Sequence, residues 1–114
     1  MGFSFEGIGA WCASFACENV TEGMPVKPSA SGTVAPCAAG DAFCGVAAAA
    51  AHDGRACSVQ LGGMATLRYS GTAPAVGSAK LAADGSGGVS VSNSGASYAV
   101  FAVDTTAKTV TIKL

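Results

Sequence analysis

The sequence predicts an all-β fold: a single compact domain of barrel or sandwich type, built from about eight short strands, with an N-terminal arm. Three observations carry this. Apolar and polar residues alternate over short runs, most plainly at Cys57-Ser58-Val59-Gln60-Leu61 and Met64–Tyr69, and alternation is the period of a half-buried strand. Turn clusters rich in Gly, Asn, Asp and Ser recur roughly every ten residues, the spacing of small barrels and sandwiches. No segment carries the apolar period of a helix longer than two turns.

Residues 1–19 hold Phe, Gly, Ala and Trp11 without a clean period. They read either as an arm or as a first strand, with residues 20–114 as the barrel-like domain. Residues 20–28 read as a turn followed by a short strand, because Pro25 and Pro28 exclude a helix and push their neighbours toward extended backbone. A further short strand is expected around Thr33–Cys37. The run Phe43–Ala51 contains five consecutive alanines, which favour helix by intrinsic propensity. It is short, contains Gly45 and enters Asp53-Gly54, a strong hairpin signal. A strand hairpinned to Cys57–Leu61 through His52–Arg55 is therefore expected.

Beyond Gly62-Gly63, Met64–Tyr69 is expected to turn Ala65, Leu67 and Tyr69 to one face and Met64, Thr66 and Arg68 to the other. Ala79–Ala83 and Val89–Ser92 are short strands separated by the Asp84–Gly88 turn. Tyr98–Val103 and Thr109–Leu114 are the clearest strands, joined by a hairpin loop at Asp104–Lys108. No repeat of fixed period is visible in the letters.

Composition narrows the function. Charged residues make up 11% of the 114 residues and the formal net charge is −1, well below the usual charged quarter. Such a surface suits one that other protein covers, since few charges need desolvation there. The six basic residues stand singly, so the concentrated basic footprint of nucleic-acid binding is missing, as is a polybasic membrane patch. No run of eighteen apolar residues spans a bilayer. The N-terminus lacks a basic start and carries Glu6, so the chain is expected to be an unprocessed cytoplasmic product. Gly2 does not make a myristoylation signal, because position 6 is Glu.

The inventory for chemistry is thin. Five cysteines, Cys12, Cys17, Cys37, Cys44 and Cys57, are an odd number without a C-x-x-C pair, so reduced thiols acting as small hydrophobes are expected and no metal site is assigned. His52 is the single histidine. It lies near Cys57 in sequence, but the alternation of Cys57 with Val59 and Leu61 turns the thiol toward the core rather than into a dyad. Asp53 and Asp84 each precede a glycine and are explained as turn residues. Gly85-Ser86-Gly87-Gly88 lacks the lysine and the helix of a phosphate loop. No catalytic residue, cofactor or metal ligand is assigned. Phe3, Phe5, Trp11 and Phe15 crowd the first fifteen residues. They are the candidate interface residues of an arm, or else the core side of a first strand.

Five segments, V-T-E-G-M-P-V-K-P at 20–28, A-A-G-D-A-F-C-G-V-A at 38–47, C-S-V-Q-L-G-G at 57–63, Y-S-G-T-A-P-A-V-G at 69–77 and V-D-T-T-A-K-T-V-T-I at 103–112, in this order resemble the small phage capsid cement (head-decoration) proteins carried in prophages of Gram-positive gut bacteria. Residues 1–19 match that pattern least. The resemblance implies a compact β-barrel-like fold made in the bacterial cytoplasm and placed on the exterior of a virion capsid. It implies the major capsid protein and sister copies, a trimer among the possibilities, as partners, with no nucleic acid, membrane, cofactor or catalytic residue involved. Other readings of the composition are a tail or other virion structural component, and a small carbohydrate-binding β module using Trp11 or Tyr98 near Asn93. An enzyme is the weakest.

Overall fold

The computed structural model describes residues 11–50 and 55–114. Among these the chain is all-β, as the alternation and turn spacing predict. Ten strands form, rather than about eight: β1 Trp11–Cys17, β2 Pro25–Ala30, β3 Thr33–Pro36, β4 Gly45–Ala50, β5 Ala56–Gly62, β6 Met64–Ser70, β7 Gly77–Ala83, β8 Val89–Val91, β9 Ala96–Asp104 and β10 Thr109–Lys113. They close into two five-stranded barrels, ordered β1-β3-β2-β4-β5 and β10-β6-β8-β7-β9. Closure leaves neither sheet with a free edge.

The period-2 pattern places the cores. On β6, Ala65, Leu67 and Tyr69 are buried while Thr66, Arg68 and Ser70 are exposed, on the faces expected. On β10, Val110 and Ile112 are fully buried. Between them Thr111 is buried on the other face, its hydroxyl 2.9 Å from that of Thr66 on the paired strand. The second core gathers Leu67, Tyr69, Leu81, Val89, Val100 and Ile112; the first gathers Cys17, Val20, Val26, Val34, Cys57 and Val59. Each Val or Leu buried this fully stabilises the fold by about 1.5–3 kcal/mol.

Residues 47–50 of the alanine run are strand. β4 pairs antiparallel with β5 on one side and β2 on the other, so tertiary pairing overrides helix propensity. The strand begins at Gly45, two residues after the expected start. A Cβ on Gly45 would lie 2.4 Å from the Gln60 carbonyl oxygen, so only glycine permits this approach. The turn residues 51–54 lie outside the described residues.

The two barrels share one wiring. β1 pairs parallel with β3 and antiparallel with β5; β6 pairs parallel with β8 and antiparallel with β10. β2 lies between β3 and β4, and β7 between β8 and β9. β4 and β9 each carry one extra residue against the next strand, Ala48 and Phe101. The topology therefore repeats although the letters show no fixed period.

Gly63, at φ 85°, joins the barrels. Gln60 Nε2 ties this junction by donating to the carbonyls of Gly62 (3.1 Å) and Met64 (2.7 Å). The segment between β3 and β4 crosses from the first barrel to the second. Gly40 N–H donates to the Ala83 carbonyl at 2.8 Å, and Ala83 N–H donates to the Asp41 carbonyl at 3.0 Å. Phe43 then enters the second core, its ring stacked on Tyr98 with centroids 5.1 Å apart.

Candidate interaction surface

The groups able to do chemistry are held in structural roles. Cys17 and Cys57 face one another inside the first barrel, 2% and 4% exposed. Burial, with the neighbouring Cys17 thiol, pushes the Cys57 thiol up to about 11. A thiol so protonated near neutrality is a poor nucleophile. His52 lies outside the described residues, as does Asp53. Cys37 is likewise pushed up to about 11, by burial first and then by the Asp41 carboxylate. Burial also raises Cys44. Among the described residues no group of three His, Cys, Asp or Glu side chains is placed to hold a metal ion.

Charges are local. Lys27 Nζ and an Asp41 carboxylate oxygen are 2.5 Å apart. That contact raises the Lys27 pKa and lowers that of Asp41, to which the Ala38 N–H also donates. Asp84 organises its turn. Its Oδ1 accepts from the backbone N–H groups of Ser86 and Gly88, and its Oδ2 from the Ser70 hydroxyl. Burial pushes this carboxyl up, but those hydrogen bonds and Arg68 outweigh it and the net shift is downward.

What the surface offers instead is apolar area on β1, β8 and β9 and just before β7. Trp11 is 63% exposed, Phe101 52%, Val76 68% and Val91 42%. Trp11 opens β1 opposite Gly62, at an irregularity in the β1–β5 register. A Cβ on Gly62 would sit 3.5 Å from the Trp11 ring, an ordinary van der Waals contact. Of the four candidate interface residues, Trp11 is exposed and Phe15 is half-buried, packed against the first core. Phe3 and Phe5 lie outside the described residues. Within the segment read as arm or first strand, residues 11–17 form β1.

Phe101 and Val76 escaped the sequence reading. Phe101 follows the buried Val100 directly, and two large apolar neighbours break alternation. The bulge at this point turns one of the two outward. The adjacent apolar pair was the available signal. Gly77 is paired with Val100, which brings Val76 beside Phe101.

Two of the open grooves among the described residues bear on contact. One, of about 400 Å³, runs between the barrels past Thr21, Glu22, Arg68 and the Gly85–Gly88 loop. The other, of about 450 Å³, lies on the first barrel and is lined by Ala16, Glu18, Ser29, Thr33, Val34 and Arg55 among others. The chain matches no family model and no curated protein.

Proposed function

We propose that this chain is a capsid cement protein, a non-enzymatic virion component that decorates the exterior of a phage head and stabilises it by bridging capsid subunits. The observation that carries the reading is Trp11, 63% exposed on a strand held by β5 and, at its C-terminal end, by β3. A large aromatic on a rigid element is an efficient interface anchor. The closed barrels, the low charge and the resemblance of five segments to cement proteins support the same role. Repeated around a symmetric lattice, a modest contact becomes a strong one.

The test is decoration of undecorated heads by purified chain, read by sedimentation and electron microscopy. Binding with a gain in the heads' thermal resistance is expected, and Trp11→Ala should weaken it by about tenfold or more. Density on the tail instead would assign the chain to another part of the virion. Failure to bind any virion part would overturn the reading.

A further inference from the structure

We infer that the two barrels are copies of one unit and that the chain self-associates head to tail, the second barrel of one copy docking on the first barrel of the next. This rests in part on the cement reading, which places many copies side by side.

The repeat is seen in register, not only in wiring. Cys17 pairs with Val34 as Tyr69 pairs with Val89. The Cys17 N–H donates to the Arg55 carbonyl at 3.0 Å, and the Tyr69 N–H to the Lys108 carbonyl at the same distance. Val59 faces Ala47 as Ile112 faces Val100, and the extra residue follows at Ala48 and at Phe101. The closing segments Ser58-Val59-Gln60-Leu61 and Thr111-Ile112-Lys113-Leu114 match residue by residue in size and polarity.

Matching surfaces are used differently. In the first barrel the outer faces of β2 and β4 are covered: Pro25 and Val46 pair in register, both are buried, and Val46 packs in the second barrel's cluster. On β7 and β9 the position matching Pro25 is Lys80, paired with Ser97, and the position matching Val46 is Ala99, paired with Ser78; all four are exposed. Beside them lie Val76 and Phe101, also exposed. The second barrel thus bares the face with which the first barrel already binds a barrel of this kind.

The receiving side follows by the same correspondence. Within the chain, the first barrel's crossing segment lies on Ala83 and against Gly85 of the second. The matching region of the first barrel, after Pro28, is the open groove holding Glu18 and Ser29. Arg55 on that groove is engaged within its own chain.

Charge orients the contact. Among the described residues the first barrel holds Glu18, Glu22 and Asp41 against Lys27 and Arg55, a formal −1. Residues 63–114 hold Arg68, Lys80, Lys108 and Lys113 against Asp84 and Asp104, a formal +2. An acidic and a basic barrel of one shape favour unlike contact between copies and disfavour like contact. Such a heterologous contact closes into a ring or continues as a filament.

The test is sedimentation velocity on the full chain, from micromolar to millimolar, at low and at high salt. Concentration-dependent association that weakens several-fold in high salt is expected. The double variant Val76→Ser/Phe101→Ser, altered at exposed positions only, should weaken it at least tenfold with an unchanged thermal midpoint. Glu18→Lys should weaken it, and mixing with Lys80→Glu should restore it in part. A chain that stays monomeric at millimolar concentration and low salt overturns the inference, as does association indifferent to all these variants. Monomers that still decorate heads would leave the cement reading standing, whereas self-association without head binding would do the reverse.

Discussion

Cys17 and Tyr69 hold the same place in the two barrels: each is the last buried residue of its barrel's first strand, pairs with a buried valine and donates its backbone N–H at 3.0 Å to the residue before the last strand. The backbone is thus fixed twice in one geometry while the side chain is free to differ. In the first barrel the space is filled by Cys17 against Cys57, and in the second Tyr69 contributes a ring where Val110 matches Cys57. The unit specifies burial and hydrogen bonding, not residue type.

Thiol reactivity follows from this placement. Cys12 and Cys44 are exposed, the latter with its thiol pKa raised by burial, Cys37 is half-buried, and Cys17 and Cys57 are buried. Titration of the native protein with a chromogenic disulfide near pH 8 should modify Cys12 first. Cys17 and Cys57 should react only as fast as the barrel opens, and all five on denaturation. Fast labelling of Cys57 in the native state, located by peptide mass mapping, would contradict the structure.

The same thiols set an alkaline limit. Cys57 and Cys37 are held protonated to about 11 by burial, while an unfolded thiol ionises near its ordinary value. Between those values the unfolded chain loses protons that the folded one keeps. Their contribution is therefore fully present below the unfolded value and lost as pH rises toward 11. Urea midpoints measured from pH 8 to 11 should fall, and Cys37→Ala/Cys57→Ala should flatten the slope even if it lowers the plateau.

Phe43 couples the barrels. It belongs to the segment before β4 but is 7% exposed in the second core, stacked on Tyr98. Phe43→Ala should cost about 3–5 kcal/mol, the range for emptying a buried aromatic site. Phe43→Leu should cost less. Hydrogen exchange should show the loss concentrated in β7 and β9, far along the chain from the substitution.

Much of this fold is legible in the letters where one face is buried and the other wet. β6 and β10 are examples, because Leu67 and Val110 alternate with polar neighbours. β1 is not, since Trp11–Cys17 mixes small and aromatic residues whose order carries no period, and only pairing with β5 and β3 makes it a strand. The repeat was hidden for a related reason. Its matched positions hold chemically different residues, Cys17 and Tyr69 or Val26 and Leu81, and unequal loops shift their spacing. At the candidate surface Trp11 is visible as an anomalous large apolar residue. Phe101 is marked only as half of the apolar pair Val100-Phe101; which of the two turns outward is set by a bulge, a property of two strands together that alternation along one strand does not fix.

Asp84 tests whether turn chemistry stabilises the second barrel. Its carboxylate accepts three hydrogen bonds, from Ser86 N–H at 2.7 Å, Gly88 N–H at 3.1 Å and the Ser70 hydroxyl at 2.9 Å. These close the link between β7 and β8 and tie it to β6. The turn admits little change elsewhere: a Cβ on Gly88 would meet the Arg68 carbonyl oxygen at 2.5 Å. Asp84→Ala removes every acceptor and should cost about 1–3 kcal/mol, because three hydrogen bonds to a charged group are lost, one of them from the part-buried Gly88 N–H. Asp84→Asn keeps one oxygen and should recover part of that. The lowered pKa fixes the sign with pH. The stabilisation is present above the carboxyl's unfolded value and is lost as pH falls through the lower folded value. Thermal midpoints of wild type and Asp84→Asn should therefore converge on acidification below about pH 4. A gap that stays constant down to pH 2 would mean that the charge on Asp84 does not stabilise the turn.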